Sequence, residues 1–427
     1  MLESFTIENF ACIRSVILDL RFAEGKAPNG YRDSPLMPFI EASPAAHDRV
    51  CSTLALYGPN ASGKTTLLMA VETMAHVVKR GWKKSDYRPN KIVEGEAAGG
   101  PSRFVMTFWK DSRRFVYQMA FSDQGIVTER LEVGKDLLFH IERGRIVSLL
   151  TALQQHGEVV SLFLLRCVNA KTQIQTKTFL HEMADALPGL SKTLLSANEF
   201  FSEDILPLPE KVHFMEGIRA LSATCEGSGA EREQQALRQI AEYLHRLDMR
   251  ITELRLSQRE PSKKMAELMD AMAAEPSYWD RWIYELQTVH QSKSGREVLF
   301  SLSEESKGTQ RLIGLLGVLL AALRAGRTVL IDELDDSLHS LLVIEIVRMF
   351  KSRRINPNGA QLVFTAHNTD LLAEKMLGLS EVAIVSQRGF DGTRLLRLSD
   401  VPGLRNAENF RRLYLKGHLG GIPSPYV

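Results

Sequence analysis

Hydrophobic and polar positions change period several times along this chain, and each change marks an element. Phe5, Ile7 and Phe10 alternate with polar residues, and Val16, Leu18 and Leu20 do so again after Arg14-Ser15, which predicts a hairpin. Residues 23–49 carry Pro28, Pro35, Pro38 and Pro44 among Gly, Ala and Asp, so they read as a surface insertion and not a core element. Cys51 to Tyr57 is a continuous apolar run, the form of a buried strand. Thr65 to Lys79 then places Leu67, Leu68, Val71, Met74, Ala75 and Val78 at helical spacing. Three strand-like runs from Arg103 to Glu132, separated by Lys110-Asp111-Ser112 and Asp123-Gln124-Gly125, predict an antiparallel β-meander.

Residues 150–247 read as mostly helical, with breaks at Pro188-Gly189 and Pro207-Leu208-Pro209. Leu237, Ile240, Leu244 and Leu247 form an apolar stripe too short for a coiled coil, so packing on a neighbouring helix is expected. Arg250 to Leu256 alternates like a strand, and Ser262 to Ala274 reads as a short helix ended by Glu275-Pro276. Tyr284–Val289 and Glu297–Leu302 suggest a hairpin about Ser294-Gly295. The most apolar run, Leu312 to Leu323, is too short to span a bilayer and contains Gly314 and Gly317; a buried helix is expected.

The expected strand and helix at 51–79 enclose Gly58-Pro59-Asn60-Ala61-Ser62-Gly63-Lys64-Thr65, followed by Thr66. This fits G-x-x-x-x-G-K-[ST], the phosphate-binding P-loop, in the strand–loop–helix context the motif requires. Backbone N–H groups at the helix start can surround a phosphate, Lys64 can reach the β/γ oxygens, and Thr65 can hold Mg²⁺. Far downstream, Thr328-Val329-Leu330-Ile331-Asp332-Glu333 has the form of a Walker B strand. Asp332 would face the Mg²⁺ shell and Glu333 would orient or deprotonate water. Lys64 and Asp332 lie 268 positions apart, so a single nucleotide-binding sheet is interrupted by a long insertion. Upstream of Walker B, Ser306, Gly308 and Thr309 sit where a helix would begin; they can serve an anion, but taken in isolation plain helix capping is the better account of them. Downstream, His367 ends the strand-like run LVFTAH, and Asp335 and Asp336 are expected exposed on the intervening turn.

Composition narrows the partners. A net charge of +2 provides no global basic field, so any DNA contact would have to be a local patch. Residues 79–91, with Trp82 and Tyr87 among cations, are the candidate, although a solvated loop is the favoured account because charge runs usually are one. The four cysteines are far apart without a C-x-x-C pair, which argues against zinc and against a disulfide framework. Glu3 and Glu8 occupy the start where a signal peptide would be basic, so a soluble, cytoplasmic protein without membrane contact is expected.

The order Walker A, SEESKGTQR (303–311), VLIDE, LDDSLH (334–339) and TAH resembles ABC-type ATPases. Its wording, with S-K-G-T in place of LSGGQ, is similar to the RecF/SMC/OLD-like branch. The closing RRLYLKGHLGGIP (411–423) resembles the tail of bacterial AAA-type ATP-binding proteins of the RloA-like, abortive-infection group. The resemblance spans roughly 1–135 and 296–423. It implies an α/β fold: an ABC-type P-loop NTPase head, with a mixed central sheet and β-meander, carrying an inserted mainly helical domain. The head would be 1–149 and 296–427, the insertion 150–295.

It further implies ATP and Mg²⁺ as cofactors, ATP hydrolysis, and a head-to-tail homodimer or higher even oligomer. Each ATP would lie between Gly58–Thr66, Asp332, Glu333 and His367 of one copy and Ser306-Lys307-Gly308 of the other. His367 would contact the γ-phosphate, and Asp335 or Asp336 would communicate across the dimer. Gln118 is the candidate Q-loop residue at the metal. Ser340 stands where the family often has proline. Sixty residues after His367 are too few for a Toprim nuclease, so a separate effector is expected. The function implied is a sensor or scaffold in anti-phage defence. The alternatives are a RecF-like DNA-repair ATPase that clamps DNA, or a non-catalytic ATP-held scaffold; Glu333 argues against the last.

Overall fold

Alternation in the first twenty residues produces β1 (Leu2–Phe10) and β2 (Ile13–Asp19), paired antiparallel with Phe5 opposite Leu18 and Ile7 opposite Val16. The computed structural model describes residues 1–27, 34, 36, 37, 39–43, 48–91, 100–154, 157–169, 174–186, 192–247, 249–261, 283–373, 376–387, 392–405 and 409–421. Part of the proline-rich insertion departs from expectation. β3 (Ile40–Ser43) and β4 (Asp48–Val50) form a small hairpin whose Ile40, Ala42 and Val50 bury against Trp109. The strand before the glycine loop is β5 (Thr53–Tyr57), fully buried, and the loop runs into α1 (Lys64–Arg80).

The meander forms as β6 (Ser102–Lys110), β7 (Arg113–Phe121) and β8 (Ile126–Val133). It continues through β9 (Asp136–Glu142) and β10 (Arg145–Leu149), which the pattern did not suggest. Register shifts at Leu131/Glu132 and Ile146/Ser148 break the two-residue period there. Together with the first hairpin this makes a seven-stranded sheet, β10-β9-β8-β7-β6-β1-β2. The 79–91 stretch is mostly irregular, as a loop should be, but Trp82 and Tyr87 pack against the main core. Part of each ring is therefore taken up by packing.

Helices α2 (Thr151–Gln154), α3 (Gly157–Cys167), α4 (Phe179–Ala186) and α5 (Lys192–Glu199) follow. The break expected at Pro207 is instead β11 (Ile205–Leu208), with Pro207 opposite Leu330. Proline is tolerated because β11 is an edge strand. The second sheet runs β11, β15 (Thr328–Ile331), β16 (Gln361–Thr365), β5, β17 (Val382–Gln387), β18 (Thr393–Arg397). All neighbours are parallel except the last pair. β5, β15 and β16 are buried throughout, which is why each reads as an unbroken apolar run. Gln361 joins the two sheets at their base: it accepts from the Leu2 N–H and donates to the Leu2 and Cys51 carbonyls.

The described residues divide into two compact units, one of 1–210, 322–336 and 346–427, the other of 211–321 with 337–345. The sequence boundaries at 150 and 296 differ from this division. Phe179, Leu180, Phe200 and Phe201 share one core with Phe5 and Phe104. Glu129, buried in β8, pins the start of α4 by accepting from the Tyr117 hydroxyl, the Gln175 amide and the N–H groups of Phe179 and Leu180. Burial pushes its pKa up against those four donors.

The second unit holds α6 (Phe214–Ser222), α7 (Gly229–Arg246) and the antiparallel sheet β12 (Ile251–Arg259), β13 (Ile283–Gln291), β14 (Glu297–Ser301). The strand and hairpin expected at 250–302 are thus present; the helix expected at 262–274 lies outside the described residues. The apolar run becomes the helix Lys307–Ala325, long and apolar enough by composition to cross a membrane, but mostly buried inside the protein. Its two glycines have a packing cause. A Cβ on Gly317 would lie 2.4 Å from the Gly217 carbonyl, and one on Gly217 would lie 2.3 Å from that of Gly314, so α6 crosses this helix backbone to backbone. Gly317→Ala is expected to destabilise the protein by about 1–3 kcal/mol through overpacking, read as a lower urea midpoint.

Candidate functional site

Three adjacent parallel strands deliver the predicted residues to one edge of the second sheet. The P-loop follows β5, Asp332-Glu333 follows β15, and His367 follows β16, which lies between them. Carboxyl ends of parallel strands are where open α/β sheets bind ligands.

The loop's shape comes from two close approaches. A Cβ on Gly58 would stand 2.1 Å from the Val385 carbonyl oxygen, and one on Gly63, at φ 102°, 2.3 Å from the Thr393 hydroxyl. Thr393 in turn donates to the Ser62 carbonyl at 3.1 Å, and its N–H donates to the Cys12 carbonyl at 3.0 Å. Pro59 is half-buried, and Asn60 and Ala61 are left exposed at the crest. Lys64 is buried and donates to the Gly58 and Pro59 carbonyls at 2.7 and 3.0 Å. Burial lowers its pKa, opposed by the charges of Asp332, Glu333 and Asp335. No acid occupies the first turn of α1, where an anion would meet the positive helix end. Thr66 accepts from the Cys12 thiol at 3.4 Å.

Asp332 is held from both sides. Its Oδ2 accepts from the Thr65 hydroxyl at 2.7 Å and its Oδ1 from the Thr365 hydroxyl at 2.6 Å. The Thr365 hydroxyl also accepts the Glu333 N–H at 2.7 Å, fixing the next residue, whose φ of 50° is left-handed. Glu333 and His367 are both exposed, with Oε1 and Nε2 3.4 Å apart. Asp335, expected on the surface, is half-buried: its Oδ2 accepts the N–H groups of His367 (2.8 Å) and Asn368. The Asn368 carbonyl accepts from the Tyr57 hydroxyl at 3.1 Å, and Arg411 donates to the Thr369 hydroxyl at 3.1 Å. A carboxylate one turn away thus shapes the histidine turn, and the closing segment braces it. Asp336 remains exposed.

These residues suit a nucleoside triphosphate and Mg²⁺. Thr65 and Asp332 present hard oxygen donors side by side, the set a hard divalent cation takes. The Lys64 ammonium is parked on two loop carbonyls that phosphate oxygens can replace. Ser62 Oγ is buried in the loop with no partner among the described residues.

The other predicted residues lie elsewhere. Gln118 sits mid-strand in β7 opposite Val105 and Arg130, and among the described residues no hydrogen bond or ion pair joins it to Thr65 or Asp332. Ser306 and Gly308 belong to the second unit. Ser306 Oγ accepts the Thr309 N–H at 3.1 Å, so it caps the helix and is itself exposed. A Cβ on Gly308 would lie 2.7 Å from the Ser337 carbonyl. Glu305, just before them, accepts from the Thr288 hydroxyl and bonds His290 at 2.7 Å, tying the turn before this helix to β13.

Sequence reasoning missed Thr365 and Thr393. Thr365 carried a faint signal, a hydroxyl closing an otherwise apolar run. Thr365→Val leaves the Asp332 carboxylate and the Glu333 N–H each short of a partner. It is expected to weaken Mg-ATP binding about 10- to 100-fold, as loss of an outer-shell partner does, measured by calorimetric titration.

Comparison with known proteins adds three findings. Residues 204–373 match the family described as "AAA domain, putative AbiEii toxin, Type IV TA system". No curated protein matches the chain. Among solved structures it is similar to an SMC head bound to the C-winged helix domain of ScpA (11% identity, 92% of this chain and 96% of that one, TM-score 0.44). It is also similar to the SMC head domain from Thermotoga maritima (13% identity, 93% and 98%, TM-score 0.43). Walker A, Walker B and a histidine turn thus lie together on one parallel sheet, the arrangement of a P-loop nucleotide-binding fold, and the segment 204–373 is similar to the AAA family so described.

Proposed function

We propose that this protein binds and hydrolyses ATP in a head-to-tail homodimer and acts in the cytoplasm as a sensor or scaffold controlling a separate effector in anti-phage defence. The observation that carries the enzymatic part is the Thr65–Asp332–Thr365 chain of hydroxyls and carboxylate, with Glu333 and His367 exposed beside it. A scaffold that only held nucleotide would need no exposed acid next to its metal-binding carboxylate. The defence setting rests on the abortive-infection description of the matched segment and the resemblance of the chain's tail.

In this reading Gly58–Thr66 cradle the phosphates, and Thr65 and Asp332 hold the cation, which when bound neutralises phosphate charge and orients the γ-phosphoryl group. Lys64 leaves the Gly58 and Pro59 carbonyls for phosphate oxygens. Glu333 orients water and takes its proton, and His367 contacts the γ-phosphate on a turn whose backbone Asp335 holds. Asp335 is half-buried against the histidine turn and Asp336 is exposed, and either would communicate across the dimer. Ser306 and Gly308 of the second copy complete each site.

The test is the solution mass of the Glu333→Gln variant with and without Mg-ATP. Turnover is expected to fall by about 10²–10⁴ as general-base catalysis is lost, letting the nucleotide-bound dimer accumulate. Mass should double on adding Mg-ATP, and Ser306→Arg should abolish the doubling. A chain that stays monomeric at saturating nucleotide would sink the shared-site mechanism. An oligomer of unchanged mass would mean that ATP remodels an assembly already formed.

A further inference from the structure

The second unit contains a groove of about 830 Å³ that has no part in the nucleotide site. One wall is α7, whose lining positions from Ala230 to His245 fall on a single helical face; the other is β12. Five consecutive residues of β12, Thr252 to Leu256, line it. A cavity over one face of a strand would touch alternate residues, because successive side chains point to opposite faces. Consecutive lining means that the groove runs along the strand's edge.

That edge is open. Among the described residues β12 pairs with β13 alone, and it is the outer strand of its sheet. Outward N–H and C=O groups of an edge strand are a template for another strand. The dimensions agree: the helical face spans about 22 Å and five strand residues about 17 Å. The floor is apolar, with Leu237, Ala241 and Leu254 buried.

Charge selects the occupant. Arg255 is already bonded to Glu253 and Glu297. Arg238 and His245 stand exposed on the rim, as does Glu242. Glu233 is different: it is half-buried in the wall, and among the described residues no cation lies within ion-pairing distance. Burial alone raises its pKa. A partly desolvated carboxylate without a partner is relieved by a cation brought to it.

We propose that this groove is a docking site for an extended segment of another protein, which adds to β12 as a strand and places a lysine or arginine against Glu233. Recognition would join main-chain bonding along β12 with side-chain fit against α7, the mode of strand addition at a sheet edge. It requires no nucleotide, so it stands or falls separately from the proposed ATP chemistry.

The test selects phage-displayed random ten-residue peptides on the full chain without nucleotide, then titrates labelled synthetic copies of the enriched sequences by fluorescence polarisation. Enriched peptides should lack central proline, alternate apolar residues and carry one basic residue. Gln234→Trp, which fills the groove, and Glu233→Lys should each weaken binding at least tenfold while leaving circular dichroism unchanged. Replacing the peptide's basic residue by glutamate should restore binding to Glu233→Lys. Peptides that bind both variants as well as the parent chain, or no enrichment over the Gln234→Trp chain, would overturn the proposal. So would enrichment seen only after residues 262–282 are replaced by a short linker, since the chain's own segment would then be the occupant.

Discussion

The nucleotide half of this molecule depends on a carboxylate held from two sides. Asp332 follows the buried strand β15, and its two oxygens are taken by hydroxyls from different elements, Thr65 at the start of α1 and Thr365 at the end of β16. One contact therefore fixes the distance between the phosphate loop and the acid that would share its cation. The second fixes which way the acid points and, through the Glu333 N–H, where the next residue leaves the strand. In a half-buried setting such charge-assisted bonds are stronger than neutral ones, and losing either partner leaves an oxygen short of its donor.

That arrangement needs a sheet that does not shear, and buried polar joints at its base oppose shear. Gln361 bonds the start of β16 to Leu2 of the other sheet and to Cys51 just before β5. Lys351 and Glu381 form a buried ion pair, and Glu381 also accepts from Thr53 on β5 at 2.6 Å. An amide or ion pair in an apolar interior is tolerable only when its partners sit in one geometry. These joints therefore set the register of β5 and β16, and their strand ends carry the phosphate loop and the histidine turn.

Legibility in the chain follows how each element meets its neighbours. Buried parallel strands announce themselves because both faces are covered, so β5, β15 and β16 were plain as apolar runs, and the P-loop and Walker B acids with them. β9 and β10 were not, because bulges scramble their alternation, and β11 was masked by prolines that only an edge strand admits. Residues 151–204 read as part of an insertion because nothing local shows that Phe179, Phe200 and Phe201 share a core with Phe5, some two hundred positions earlier. Glu129 carries the same lesson, since an acid on an alternating strand looks solvent-facing until a helix start closes over it. Thr365 and the bracing turn around Asp335 are matters of tertiary contact, and no single-residue pattern encodes them.

The division of exposure within the site bears on the dimer proposed for it. Groups with work to do inside one chain are covered: Lys64 is buried, Asp332 is bonded on both oxygens, and Asp335 is half-buried against the histidine turn. Groups assigned to water, to the γ-phosphate or to a second copy are open: Glu333, His367, Asp336, Ser306 and Lys307. Left in a monomer, Glu333 and His367 would work in bulk water, where their 3.4 Å pairing is weak and solvent screens the field on a phosphate. Excluding water by closing a second surface over them is the simplest way to strengthen both. The same closure would make turnover slow unless two copies meet, which suits the proposed sensor role.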